Sequence, residues 1–125
     1  MSTIFTKIIS GQIPSYKIYE DDNTYAFLDI NPETKGHTLV VPKVEVDKIY
    51  DLDDINYTAL WQAAKKIAQN MEKVLGKRII MKVIGIDVPH AHIHLMPFDE
   101  TWHQGKVIKM PPEQMQKLSE QLRLD

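Results

Sequence analysis

Along most of this chain the apolar positions fall into two periods, and the switches between them mark its elements. Residues 90–96 alternate strictly, with His90, His92 and His94 at every second place and Ala91, Ile93 and Leu95 between them. Period two is that of a β-strand, which puts the three imidazoles on one face and the small and apolar residues in a core on the other. On a helix the same residues would scatter around the axis. Short strands are also predicted at 16–19, 24–29, 36–42 and 78–84, with turn signals at Asp21-Asp22-Asn23 and Asn31-Pro32, and the apolar run of 36–42 suggests a central position. Between the third and fourth of these, Leu60, Ala63, Ala64, Ile67, Met71 and Val74 recur at three- and four-residue spacing, predicting an amphipathic helix over about 55–75. Asp51 to Asp54 offer its N-cap and Gly76 its C-cap. A short helix from Thr3 to Ser10, capped by Ser2 or Thr3 and stopped by Gly11, opens the chain. Another follows Pro111-Pro112 and runs to about Arg123. The fold class expected is α+β: a five-stranded antiparallel sheet with one long helix packed on it, plus short N-terminal and C-terminal helices.

Composition narrows the setting. The 125 residues suit one domain with a core large enough to need no staple, and no linker or repeat divides them. There are no cysteines, so neither disulfides nor a cysteine zinc site can form. The opening Met1-Ser2-Thr3-Ile4-Phe5 lacks the apolar run of a signal peptide, and no stretch approaches the ~20 apolar residues of a membrane span. A cytoplasmic protein without membrane contact is the expectation. With 15 basic against 17 acidic residues, formal net −2, there is no basic excess of the kind that binds nucleic acid polymers. Any phosphate handled belongs to a small molecule.

Three readings of the histidine row are open. It could ligate a metal, but on an extended strand same-face neighbours stand ~7 Å apart and the outer pair ~13 Å, so one ion cannot readily take all three. It could be a set of satisfied structural histidines. Or one imidazole attacks or transfers a proton while its neighbours bind the substrate.

The row from His90 to Met96 resembles, position for position, the His-φ-His-φ-His-φ-φ signature of the histidine triad (HIT) family of nucleotidyl hydrolases and transferases, and its phosphoramidase-like branch in particular. Further likeness lies in Ile4-Phe5 with Ile8-Ile9, Gly11 and Ile13-Pro14, in Ala26-Phe27 with Asp29-Ile30 and Pro32, and in Gly36-His37 with Leu39 to Lys43. It covers residues 4–98, leaving 99–125 as a C-terminal link and helix. The resemblance implies that His92 attacks the α-phosphorus of a purine nucleoside phosphoramidate or an acyl or aminoacyl adenylate, giving a nucleotidyl-histidine that water then hydrolyses. His94 would contact phosphate oxygens, His90 would fix its neighbours, and His37 would join the cluster. Asp29 would accept the ribose hydroxyls, and Phe5, Ile8, Phe27, Leu28 and Ile30 would line the base cleft, although each is equally readable as core. Dinucleoside polyphosphate cleavage, or nucleotide binding with little turnover, are the alternatives. A homodimer is implied, with no cofactor and no metal.

The chain departs from the family pattern in three places. Where zinc-carrying relatives have Cys-x-x-Cys and a later histidine, it has Thr3, Thr6 and Glu45. Before the triad it has only Gly85, Ile86, Asp87, Val88 and Pro89, so that Gly85 holds the glycine place, Asp87 replaces a hydroxyl residue and an asparagine segment is deleted. Asp87 is either a general acid with an upshifted pKa or a turn residue. In the tail, Trp102 and His103 are candidates to close the site.

Overall fold

One sheet carries the architecture, with its strands hydrogen-bonded in the order β1-β2-β3-β5-β4 and every neighbouring pair antiparallel. In the computed structural model, which describes residues 2–124, the chain runs α1 (Ile4–Ile9), β1 (Lys17–Glu20), β2 (Thr24–Leu28), β3 (Thr38–Pro42), a single 3-10 turn (Ile49–Asp51), α2 (Asp54–Leu75), β4 (Ile79–Lys82), β5 (Ile93–Pro97) and α3 (Pro112–Leu122). The expected α+β class and strand count hold, and β3 is central. Two boundaries differ in a way that matters for the site. The fourth strand ends at Lys82 rather than residue 84, and the fifth begins at Ile93, so His90, Ala91 and His92 lie in the bend that leads into it.

Residues of β2, β3 and β5 are buried at every position, because both faces of the sheet are covered. On one face Ile18, Ala26, Leu28, Val40, Ile93 and Leu95 meet Leu60, Ala64, Ile67 and Met71 of α2 and Met115, Leu118 and Leu122 of α3. Fully burying a side chain such as Ile67 or Met71 contributes about 1.5–3 kcal/mol each. Val74, the last residue of the predicted apolar stripe, is instead partly exposed near the helix end. The Asp53 carboxylate caps α2 by accepting from the Asn56 N–H at 2.8 Å, and Gly76 ends it in the left-handed conformation at φ 67°.

On the other face the alternate residues Tyr25, Phe27, Leu39 and Val41 pack against Phe5 and Ile8 of α1. This second, smaller cluster is continued across the sheet by His37, His92 and His94, which are buried polar residues on the same face. The helix α1 is short, yet its position is fixed. The Thr3 hydroxyl accepts from the Thr6 N–H at 3.1 Å and Phe5 sits edge-on to Phe27, His90 and His92.

Candidate active site

The cleft between α1, the β2–β3 face and the segment before β5 has a volume of about 380 Å³, within the range of small-molecule sites. His92 and His94 both line it, as do Phe5, Ile8, Phe27, Asp29, Ile30 and Asp87. His90 and His37 stand behind this pair rather than in the cleft wall. Leu28 touches the cleft, but its side chain belongs to the core under α2, the alternate side of β2 from Phe27. Gly85 is not among the lining residues; its φ of 71° makes it a turn residue with open space around it. Ile30 forms an exposed rim.

Hydrogen bonds with partners that can only donate or only accept fix the protonation of the imidazoles. His90 Nε2–H donates to the Pro42 carbonyl at 2.8 Å, which leaves Nδ1 to accept from the Thr3 hydroxyl at 2.9 Å. His92 Nδ1–H donates to the backbone carbonyl of His90 at 2.7 Å. In neutral His92 the lone pair is therefore on Nε2. His37 Nδ1 accepts from the Glu33 N–H at 3.0 Å, so its Nε2–H donates to His94 Nδ1 at 2.9 Å, and the remaining proton of neutral His94 is on Nε2. That atom is buried and has no hydrogen-bond partner among the described residues. The result is a lone pair on one ring and an N–H on its neighbour.

The rings of His92 and His94 have centroids 5.0 Å apart, closer than the ~7 Å of an ideal strand, because the chain is bent up to Ile93 and the rings tilt by 60°. Burial, and then repulsion from neighbouring charge, lowers the pKa of His94 to about 4, with His92 the main neighbour. The same causes lower His37 to about 4, with His94 as the neighbour. Burial also lowers His90. At neutral pH these three rings are uncharged, as the hydrogen bonds of His37 and His94 also require. Burial raises the Asp29 carboxyl above its ordinary range, against the Asn31 N–H, whose bond at 2.9 Å lowers it.

Asp29, His37 and His94 bring one oxygen and two ring nitrogens within 4.8 Å of one another, a spacing that a divalent ion could share. Their hydrogen bonds do not fit that use. The His37 lone pair is taken by the Glu33 N–H, and its other nitrogen is bonded to His94, so binding an ion would break both. At the other end of the row, Thr3, Thr6 and Glu45, the residues that stand in the zinc-ligand places, close around His90. The Thr6 hydroxyl and the Thr3 N–H donate to Glu45 Oε1 at 2.6 and 2.9 Å.

Several neighbours of the site were not singled out as site residues in the sequence, Leu39, Val107, Glu33 and Lys82 among them. Leu39 could have been, since His37, Leu39 and Val41 alternate on one face of β3; Val107 comes from the irregular link and reaches the cleft with no local signal. Glu33 and Lys82 enter only through tertiary contacts. Of the two tail candidates, His103 is exposed, while Trp102 does not line the cleft and its Nε1–H donates to Glu33 Oε1 at 3.1 Å.

His92 and His94, with opposite hydrogen-bonding sense at their Nε2 atoms, share one end of a mostly apolar cleft with the Asp29 carboxyl group. A family profile described as the HIT domain matches residues 10–101, and the chain belongs to that family. An adenosine 5′-monophosphoramidase of Saccharomyces cerevisiae is 39% identical over 97 residues, 75% of this chain and 61% of that one. An uncharacterized HIT-like protein of Methanocaldococcus jannaschii is 40% identical over 111 residues, 85% of this chain and 84% of that one. A crystal structure of a HIT-like protein involved in cell-cycle regulation from Bartonella henselae superposes with a TM-score of 0.87 at 31% identity, over 98% of this chain and 94% of that one.

Proposed function

We propose that this chain hydrolyses a purine nucleoside 5′-phosphate derivative, a phosphoramidate or an acyl or aminoacyl adenylate, through a nucleotidyl-histidine on His92. The observation that carries the reading is the pairing of the His92 Nε2 lone pair with the unpartnered His94 Nε2–H. The name of the yeast relative supports the same class of substrate. His92 Nε2 attacks the α-phosphorus, the phosphorus–nitrogen bond breaks, and the amine leaves with a proton from water. Water then attacks the phosphorus, releasing AMP and restoring neutral His92, its surplus proton passing to solvent. His94 Nε2–H donates to the phosphoryl oxygen as negative charge develops there, and the carbonyl of His90 stabilises the charge His92 acquires. Asp29 accepts the ribose hydroxyls, and Phe5, Ile8, Phe27 and Ile30 hold the base.

The test is AMP release from adenosine phosphoramidate and from a diadenosine polyphosphate, by wild type and His92→Ala. Release from the first substrate that falls at least ~10³-fold in the variant is expected. No release from either substrate, with AMP still bound, would make the protein a binding module, and faster release from the second would make it a polyphosphate hydrolase. The proposed setting is the cytoplasm. There we place a homodimer, for which the free edge of β4, with Met81 and Val83 exposed, is a candidate surface; sedimentation equilibrium reads the mass.

A further inference from the structure

Lys82 is directly opposite His94 in the β4–β5 ladder, so the two side chains leave the same face of the sheet, with Cβ atoms about 4.5–5.5 Å apart. Its ammonium nitrogen is buried and has no hydrogen-bond partner among the described residues. The nearest carboxylate oxygen, Glu33 Oε1, is 3.9 Å away and already accepts from Trp102 Nε1–H at 3.1 Å and from the Gly105 N–H at 3.0 Å. The Trp102 ring centroid lies 5.4 Å from the ammonium. A buried cation with three unused donors is costly unless something else binds it. Beside it the Nε2–H of His94 is also buried and unpartnered. Both shortfalls would be relieved by one anion.

The place of Lys82 in the sheet says which part of a substrate brings that anion. The cleft for the nucleoside lies over β2 and β3, where Phe27, Asp29 and Leu39 are. Lys82 lies on β4, on the far side of β5 from them. A group that is bonded to the phosphorus at His94 and extends to β4 is therefore the leaving group. We propose that Lys82 binds a negative charge on the leaving group, selecting substrates with a carboxylate or phosphate next to the scissile bond. Glu33 balances the ammonium before the substrate arrives, and a flexible four-carbon stem lets Lys82 turn from it towards the anion.

This inference rests on the proposed hydrolysis, and two ratios test it separately. The first is the affinity of the α,β-methylene analogue of ADP relative to AMP, by titration calorimetry. The second is kcat/KM for the adenosine phosphoramidate of glycine relative to that of glycinamide. Wild type is expected to favour the anionic member of at least one pair by at least ~10-fold. Lys82→Met should bring that ratio close to one, and Lys82→Arg should keep most of it. Each ratio is internal to one protein, so a general loss of folded or active molecules cancels. A preference seen only with the ADP analogue identifies phosphate as the anion, and one seen only with glycine identifies a carboxylate. Ratios unchanged in Lys82→Met overturn the proposal while leaving the hydrolase reading intact. Absence of both AMP binding and AMP release overturns the hydrolase reading and this proposal with it.

Discussion

Replacing His37 by Phe tests how a residue outside the cleft wall sets the chemistry inside it. An aromatic ring is retained, but the Glu33 N–H loses its acceptor and His94 Nδ1 loses the donor 2.9 Å away that keeps its proton on Nε2. Freed of that bond, His94 can place its proton on Nδ1 and turn a lone pair towards the cleft, where an anionic oxygen is expected. A hydrogen bond to a charged group is worth about 1.5–3 kcal/mol, which corresponds to a loss of about 10- to 150-fold in kcat/KM for AMP release. The assay is steady-state hydrolysis of adenosine phosphoramidate at pH 7.5, on protein whose urea transition shows it to be folded. A loss below about threefold would refute the argument that His37 sets the proton on His94.

Other perturbations read the scaffold. Thr3→Val removes both the cap of α1 and the donor to buried His90 Nδ1; a loss of about 2–4 kcal/mol in urea unfolding is expected, and Thr3→Ser should restore most of it. Gly36→Ala would place a Cβ 3.0 Å from Pro97 Cγ and 3.3 Å from Leu75 Cδ1, at a φ of 101°. Since strain and overpacking act together, destabilisation of at least ~2 kcal/mol is expected, read by the same transition. Stability should also fall with acid in a defined window. His37 and His94 titrate near 4 in the fold against 6.5 for an ordinary imidazole, so the unfolded chain takes up protons first. Their contribution is complete above about pH 6.5 and is lost as the pH falls towards 4. The urea midpoint should drop between pH 7.5 and 5, and by less in His37→Phe; an unchanged or rising midpoint would contradict the assignment of these rings as neutral.

Much of this was legible in one dimension because the signals are local. The alternation at His90 to Leu95 placed the imidazoles on the face opposite Ile93, and the spacing of Leu60, Ala64, Ile67 and Met71 located the helix that covers the other face. Of the cap candidates Ser2 or Thr3 and Asp51 to Asp54, the structure uses Thr3 and Asp53, and Gly76 ends the long helix as expected of a residue without a Cβ. What periodicity could not supply was the bend before β5, since the same alternating residues fit an extended chain; that bend brings the His92 and His94 rings to 5.0 Å. Nor could it show that His90 acts on His92 through its carbonyl rather than its ring. Glu33 and Lys82 carry no motif: one is brought to His37 and Trp102 by the turn before β3, the other to His94 by the register of an edge strand. Val107 reaches the cleft from a segment with no regular structure, where sequence pattern predicts nothing about position.

The central claim is that His92 forms the bond to phosphorus. Wild-type protein mixed with excess adenosine phosphoramidate, quenched within a single turnover under conditions that preserve phosphorus–nitrogen bonds, should yield an adenylylated peptide that fragmentation assigns to His92. In His92→Ala the adduct should be absent and AMP release reduced in step. An adduct on His94 or another residue, or undiminished AMP release by His92→Ala, would contradict the account.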